Sequence, residues 1–198
     1  MDAVKKHGGR AVMTKDTHER CTDRVEEAMQ KLKADIVVIV QGDEPLFLPE
    51  IVEPLIKPML KGEKVLCVNL LSPLQSEDDY NNVDIIKTAV NQKNRVMYYS
   101  RAGIPHFRKK IAVPVYRQTG ISAFTKSFLK KFSNMPPTPM EIIESIDFLR
   151  ILEHGFPIYG VVYNQKTVGV DRPDDVGIVE NILQKDPVQK KIYQQILK

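Results

Sequence analysis

Apolar residues in this 198-residue chain fall into two rhythms: short unbroken runs, and stretches in which they recur every three or four positions. The densest run is Ile-Val-Val-Ile-Val at residues 36–40. It is mostly β-branched and has the composition of a buried parallel strand. Further strands are expected at residues 10–14 (RAVMT), 65–71, 84–90, 95–100, 115–124 and 158–163. The two at 84–90 and 95–100 flank a turn-rich NQKN and read as an antiparallel pair. Gly120 interrupts the run at 115–124.

The helical rhythm begins with a short opening helix stopped by Gly8 and Gly9. Val25, Ala28, Met29 and Leu32 predict a helix over 23–32. Residues 49–60 also have helical spacing, but Pro54 and Pro58 predict a kink or short pieces. A short helix is expected at 126–132. Residues 140–152 form the clearest amphipathic pattern, with Ile143, Ile146, Leu149 and Leu152 on one face and Gly155 as the stop. A helix at 173–184 carries Asp174 and Asp175 in its first turn, where they complement the helix dipole. Pro187 opens a last one. Strands alternating with helices indicate one α/β domain over 1–198. Its sheet is expected to be mixed and mostly parallel, with helices flanking it.

Composition narrows the classes. Apolar content of 42% and charged content of 27% are those of a globular protein. No apolar run is long enough to span a bilayer, and the opening MDAVKKHGGR is not a signal peptide. No membrane association is expected. The charge of +4 is mild. Its basic clusters lack the aromatic or helical organisation of a nucleic-acid surface, and the balance suits a small anionic substrate. Cys21 and Cys67 show neither disulfide nor metal spacing, and the four histidines are scattered. A reduced, cytoplasmic setting follows.

Candidate chemistry sits at two strand ends. The run at 36–40 leads directly into Gln41, Gly42, Asp43, Glu44 and Pro45; the run at 158–163 is followed by Val168, Gly169, Val170 and Asp171. Ligands of open α/β sheets bind at carboxyl ends of strands, so two acids there suggest a divalent cation and a phosphate-bearing substrate. Taken singly, Asp43 also reads as a turn residue and Asp171 as a helix cap. Asp23 and Arg24 equally suit the first turn of a helix, and Arg101 and Arg150 suit surface ion pairs.

Several segments in order resemble the 3-deoxy-manno-octulosonate (Kdo) cytidylyltransferase family. They are TDR at 22–24, VQGDEP at 40–45, IIK at 85–87, YYSRAGIP at 98–105, PPTPMEIIES at 136–145, LRILEHG at 149–155 and VGVDRPDD at 168–175. The resemblance implies a nucleotidyltransferase-type, Rossmann-like fold. It also implies a Mg²⁺-dependent transfer of CMP from CTP to a 2-keto-3-deoxy sugar acid with release of pyrophosphate. Under it Asp43 and Asp171 are the catalytic metal ligands. Cys21, Thr22, Asp23, Arg24 and Gln41 lie along the nucleotide. Ser100, Arg101, Gln118, Glu141, Glu144 and Arg150 contact the sugar acid. A homodimer is implied, with 140–152 as an interface. The chain departs from the family pattern at Arg20-Cys21, at Gln118 and at Asp147-Phe148. The last two fall at the expected sugar site, which leaves open a 2-keto sugar acid other than Kdo.

The family pattern begins with a strand and a basic glycine/serine loop that grips the triphosphate. That loop is not in this sequence, so the first strand is expected to be absent and transfer by this chain alone weak or nil. Two other readings stand beside the enzyme. One is a non-catalytic nucleotide- or sugar-binding remnant. The other is a nucleotide-sugar glycosyltransferase, which would want an Asp-x-Asp pair that QGDEP lacks.

Overall fold

The computed structural model describes residues 1–18, 20–61, 64–109, 113–164, 168–170 and 172–196. The run at 36–40 forms β1 (Ile36–Val40). Alternate side chains leave a strand on opposite faces, and here both faces are covered. Val37 and Ile39 join a cluster with Phe124, Phe128 and Phe148. Ile36 and Val38 pack against a second cluster with Leu48, Leu55 and Ile121.

Five further strands complete the sheet: β2 (Cys67–Pro73), β3 (Lys87–Val90), β4 (Val96–Ser100), β5 (Tyr116–Thr125) and β6 (Tyr159–Val162). The order is β4-β3-β5-β2-β6, with β1 paired to β5. Ten-residue β5 is the spine. Beside β2 along one edge, it takes β1 and β3 in succession along the other. Its register against β2 shifts between Asn69 and Leu71. The buried Asn69 amide spans that irregularity by donating to the carbonyls of Thr119 (3.3 Å) and Ile121 (3.1 Å).

The α/β class is as expected, but the strand directions differ. Among the described residues only β2 and β6 pair in parallel; β1 runs antiparallel to β5. A continuous apolar run reports that both faces of a strand are covered, and it says nothing about direction. Residues 10–14 form no strand, and Val12 and Met13 are exposed. Among the described residues β1 therefore pairs along one edge only.

Helices lie on both faces. After α1 (Asp2–Lys6) and α2 (Cys21–Met29), a 3-10 turn at Pro49–Ile51 leads into α3 (Val52–Leu60). The proline-rich segment thus forms two pieces, as its composition predicts. A short α4 (Glu77–Asn81) precedes β3. On α5 (Lys126–Ser133), Phe128, Leu129 and Phe132 are buried, and the Thr125 hydroxyl accepts from the Phe128 amide at 3.2 Å as its cap. The chain closes with α8 (Pro173–Lys185) and α9 (Pro187–Ile196).

The single helix expected over 140–152 is two: α6 (Pro139–Glu144) and α7 (Phe148–Glu153). Between them Ser145 adopts a left-handed conformation (φ 53°), and Ile143 is 74% exposed instead of facing the core. The break lets Glu141 and Arg150 meet. Nine residues apart on one continuous helix, they would face opposite sides. No helix among the described residues is long and apolar enough to cross a membrane.

Candidate functional site

A cavity of about 560 Å³ opens where β1, β5 and the start of α2 converge. The residues after β1 turn sharply, with the Glu44 amide donating to the Gln41 carbonyl at 3.1 Å. That turn is stapled to β5 from both sides. The Gln41 amide donates to the Gly120 carbonyl (3.2 Å), and the Gly120 amide donates to the buried Glu44 carboxylate (2.6 Å). A Cβ at Gly120 would lie 3.0–3.1 Å from Gln41 and Glu44 side-chain atoms, tight enough that those side chains would have to shift. The staple presents Gln41 and Asp43 to the cavity.

Asp43 Oδ1 is buried and has no hydrogen-bond partner among the described residues. Leaving such an acceptor dry costs about 1–3 kcal/mol or more, so its environment favours a bound cation or donor. The segment after β6 is tied to the same spot, the Val170 amide donating to the Asp43 carbonyl at 2.8 Å. Asp171 itself lies outside the described residues. Among those residues no cluster of three or more His, Cys, Asp or Glu side chains could cage a metal. A lone carboxylate suits Mg²⁺, which binds through one or two carboxylates together with phosphate oxygens and water.

Of the nucleotide candidates, Cys21 and Gln41 line the cavity. Burial raises the Cys21 thiol pKa, and the nearby Asp147 and Asp43 carboxylates add to the shift. Thr22 is buried one layer back, its hydroxyl donating to Asp147 at 3.3 Å. Asp23 and Arg24 are not brought to the cavity. Arg24 donates instead to the Thr14 hydroxyl (2.7 Å) and the Lys15 carbonyl (3.0 Å), fixing the loop before α2.

The six sugar-acid candidates divide in the same way. Arg101 and Gln118 line the cavity, and Gln118 Oε1 is a second buried acceptor with no partner among the described residues. Ser100 and Glu144 form a layer behind Arg101. The Ser100 hydroxyl and the Arg101 amide both donate to the Glu144 carboxylate, at 2.8 and 2.9 Å. The Arg101 guanidinium reaches backbone carbonyls of Glu144 (2.7 Å) and Val83 (3.1 Å). Glu141 and Arg150 are turned inward to each other. Arg150 donates twice to the Glu141 carboxylate, at 2.7 and 2.5 Å, with 1% of the Glu141 and 7% of the Arg150 side chain exposed. This pairing raises the Arg150 pKa.

Six further charged residues line the cavity without having been singled out as ligands: Arg20, Glu44, Asp84, Arg117, Asp147 and Arg172. Arg117 and Gln118 are neighbours on β5 and both line the cavity, just before the register against β2 shifts. No sequence pattern carries that irregularity. Arg172 pairs with Asp84 across the rim. Burial pushes the Asp147 carboxyl up from the usual aspartate range, against the lowering effect of Arg20 and the Thr22 hydroxyl. Four guanidinium groups and four carboxylates (Asp43, Glu44, Asp84 and Asp147) line one cavity, a lining that suits an anionic ligand carrying a cation.

Comparison with known proteins agrees with this geometry. A family model described as Cytidylyltransferase matches residues 1–167. The chain is 38% identical to a 3-deoxy-manno-octulosonate cytidylyltransferase of Acaryochloris marina over 176 residues, covering 88% of this chain and 72% of that protein. It is 34% identical to the protein of the same name from Geobacter metallireducens over 193 residues, covering 91% and 76%. The solved structure of CMP:2-keto-3-deoxy-manno-octonic acid synthetase complexed with CTP superposes with a TM-score of 0.86 at 31% identity, covering 93% of this chain and 76% of that one. The inositol-1-phosphate CTP transferase of T. maritima, at TM-score 0.59 and 13% identity, shares the fold alone. A family model matched over residues 1–167, with relatives at 34–38% identity over most of the chain, marks this protein as a nucleotidyltransferase belonging to the cytidylyltransferase family.

Proposed function

We propose that the cavity takes CTP and a 2-keto-3-deoxy sugar acid, Kdo or a close relative, and joins them as the CMP-sugar acid. In this reading the anomeric hydroxyl oxygen of the acid forms a bond to the α-phosphorus of CTP. The bond from that phosphorus to the bridging oxygen breaks, pyrophosphate leaves, and the hydroxyl proton passes to water. Asp43 and Asp171 hold Mg²⁺, which when bound supplies charge neutralisation for the triphosphate. Gln41 and the start of α2 at Cys21 contact the nucleoside. Arg101 and Gln118 receive the acid, the guanidinium matching its carboxylate. Ser100 and Glu144 orient Arg101 from behind. The reaction needs positioning and electrostatics more than proton transfer by side chains, and the cavity supplies both. The setting is cytoplasmic, and the protein is a homodimer that covers the exposed Ile142 and Ile143 of α6.

The observation that carries this reading is the buried Asp43 Oδ1 with no partner among the described residues, in a cavity that four arginines also line. Titration calorimetry with CTP, with and without Mg²⁺, tests it. CTP is expected to bind more tightly with Mg²⁺, and Asp43→Asn to remove that gain, weakening Mg-CTP binding tenfold or more. Equal affinity with and without Mg²⁺, or an Asp43→Asn variant that binds like the wild type, overturns it.

A further inference from the structure

Lys87 is a charged residue with no accessible surface at all, lying in the interior of the sheet. The register sets it between Ser100 on β4 and Arg117 on β5. Its ammonium donates to three backbone carbonyls: Asn82 at 2.7 Å, Ile85 at 2.7 Å and Arg101. An ammonium carries three donors and no acceptor, so all three are taken and none is left for a substrate. Burial, and next the Arg101 guanidinium, lower its pKa; Glu144 acts the other way.

The three carbonyls belong to two segments that line the cavity. One is the turn at 82–85. Its Val83 carbonyl accepts from Arg101, and its Asp84 pairs with Arg172. The other is the residue after β4, Arg101 itself. Both cavity arginines on this side are thus aimed by backbone that one ammonium gathers. An apolar residue at 87 would leave three carbonyls converging on nothing, and they would repel one another.

We propose that Lys87 is a positioning residue, which sets the Arg101 guanidinium for the carboxylate of the sugar acid without touching it. This rests on the proposed function for the identity of the acid, but not for the geometry.

The test uses the 198-residue chain as wild type, Lys87→Met and Lys87→Gln. Each is titrated with 3-deoxy-manno-octulosonate and, separately, with Mg-CTP, and the Arg101 Nε–H exchange rate is followed by NMR. The wild type is expected to bind both ligands and to protect Arg101 Nε–H, which donates to the Glu144 carbonyl. Lys87→Met is expected to weaken sugar-acid binding tenfold or more, to leave Mg-CTP binding within about threefold, and to lose the Nε–H protection. Lys87→Gln, with two donors, should recover part of both losses. If Lys87→Met does not fold, Lys87→Gln carries the comparison. Unchanged sugar-acid affinity with Arg101 still protected overturns the proposal. So does a parallel loss of both ligands that follows the melting temperature, which would mean a purely structural lysine. A wild type that binds neither ligand overturns the proposed function instead, and the Nε–H exchange then decides the role of Lys87 alone.

Discussion

Glu141 and Arg150 offer a test in which a structural role and a ligand role predict opposite results. The pair is buried, doubly hydrogen-bonded and extended by two backbone contacts. Glu141 also accepts from the Thr138 amide at 3.2 Å, and Arg150 donates to the Met135 carbonyl at 3.3 Å. Removing one member of a buried ion pair strands the other charge in a low-dielectric interior, at a cost of about 3–5 kcal/mol. Arg150→Met leaves Glu141 only the 4.0 Å contact with the part-exposed Arg20, so it is expected to lose close to that amount, lowering the melting temperature by roughly 6–20 °C for a chain of this size. Glu141→Gln keeps an acceptor for the Thr138 amide but strands Arg150, and it should cost a similar amount. The double variant strands no charge, so it should be more stable than the sum of the two losses by about 0.5–3 kcal/mol. Urea unfolding of the four proteins closes the cycle. A loss under about 1 kcal/mol for Arg150→Met, or strict additivity, would refute the reasoning. A stable Arg150→Met variant with weakened sugar-acid binding would return Arg150 to the ligands.

Two further outcomes are expected. The Asp147 carboxyl is raised by burial, so as pH climbs out of the ordinary aspartate range the unfolded chain ionises first and folding loses stability, until the folded pKa is passed. Asp147→Asn should raise the melting temperature at pH 7.5 and lose that advantage below the ordinary aspartate range; an equal advantage at both pH values would be contrary. Gly120→Ala should push Gln41 and Glu44 out of place by a few tenths of an ångström, weakening CTP binding several-fold in calorimetry with a stability loss of about 1–3 kcal/mol. Unaltered CTP affinity would show that the turn tolerates the methyl group.

The elements were largely legible in the sequence because each buried run has a simple period. β1 announced itself by five apolar residues, and the β3–β4 pair by its polar turn. The helix at 140–152 misled because Ile143, Ile146 and Leu149 keep helical spacing across a break made by Ser145. That break brings Glu141 and Arg150 together, and periodicity does not encode such pairings. A place at the cavity was legible where backbone position decides it, as for Asp43 and Gln41 at a strand end. It was not legible where side-chain direction decides. Arg24, Glu141 and Arg150 turn away from the cavity, while Arg117 turns toward it, through packing that no local pattern specifies.

The hydrogen bond from the Val170 amide to the Asp43 carbonyl also bears on the order in which the site is completed. Its partners lie more than half the chain apart, and contacts of such separation close late in folding. A nascent chain synthesised only through α7 already holds both partners of the β1–β5 and β2–β5 ladders. It lacks the segment that seats beside Asp43. A ligand stabilises only the form that binds it, so a nucleotide requiring that seat would lend no stability to a half-made chain. Under the proposed function, protection from proteolysis by CTP is therefore expected only of chains that extend past residue 170.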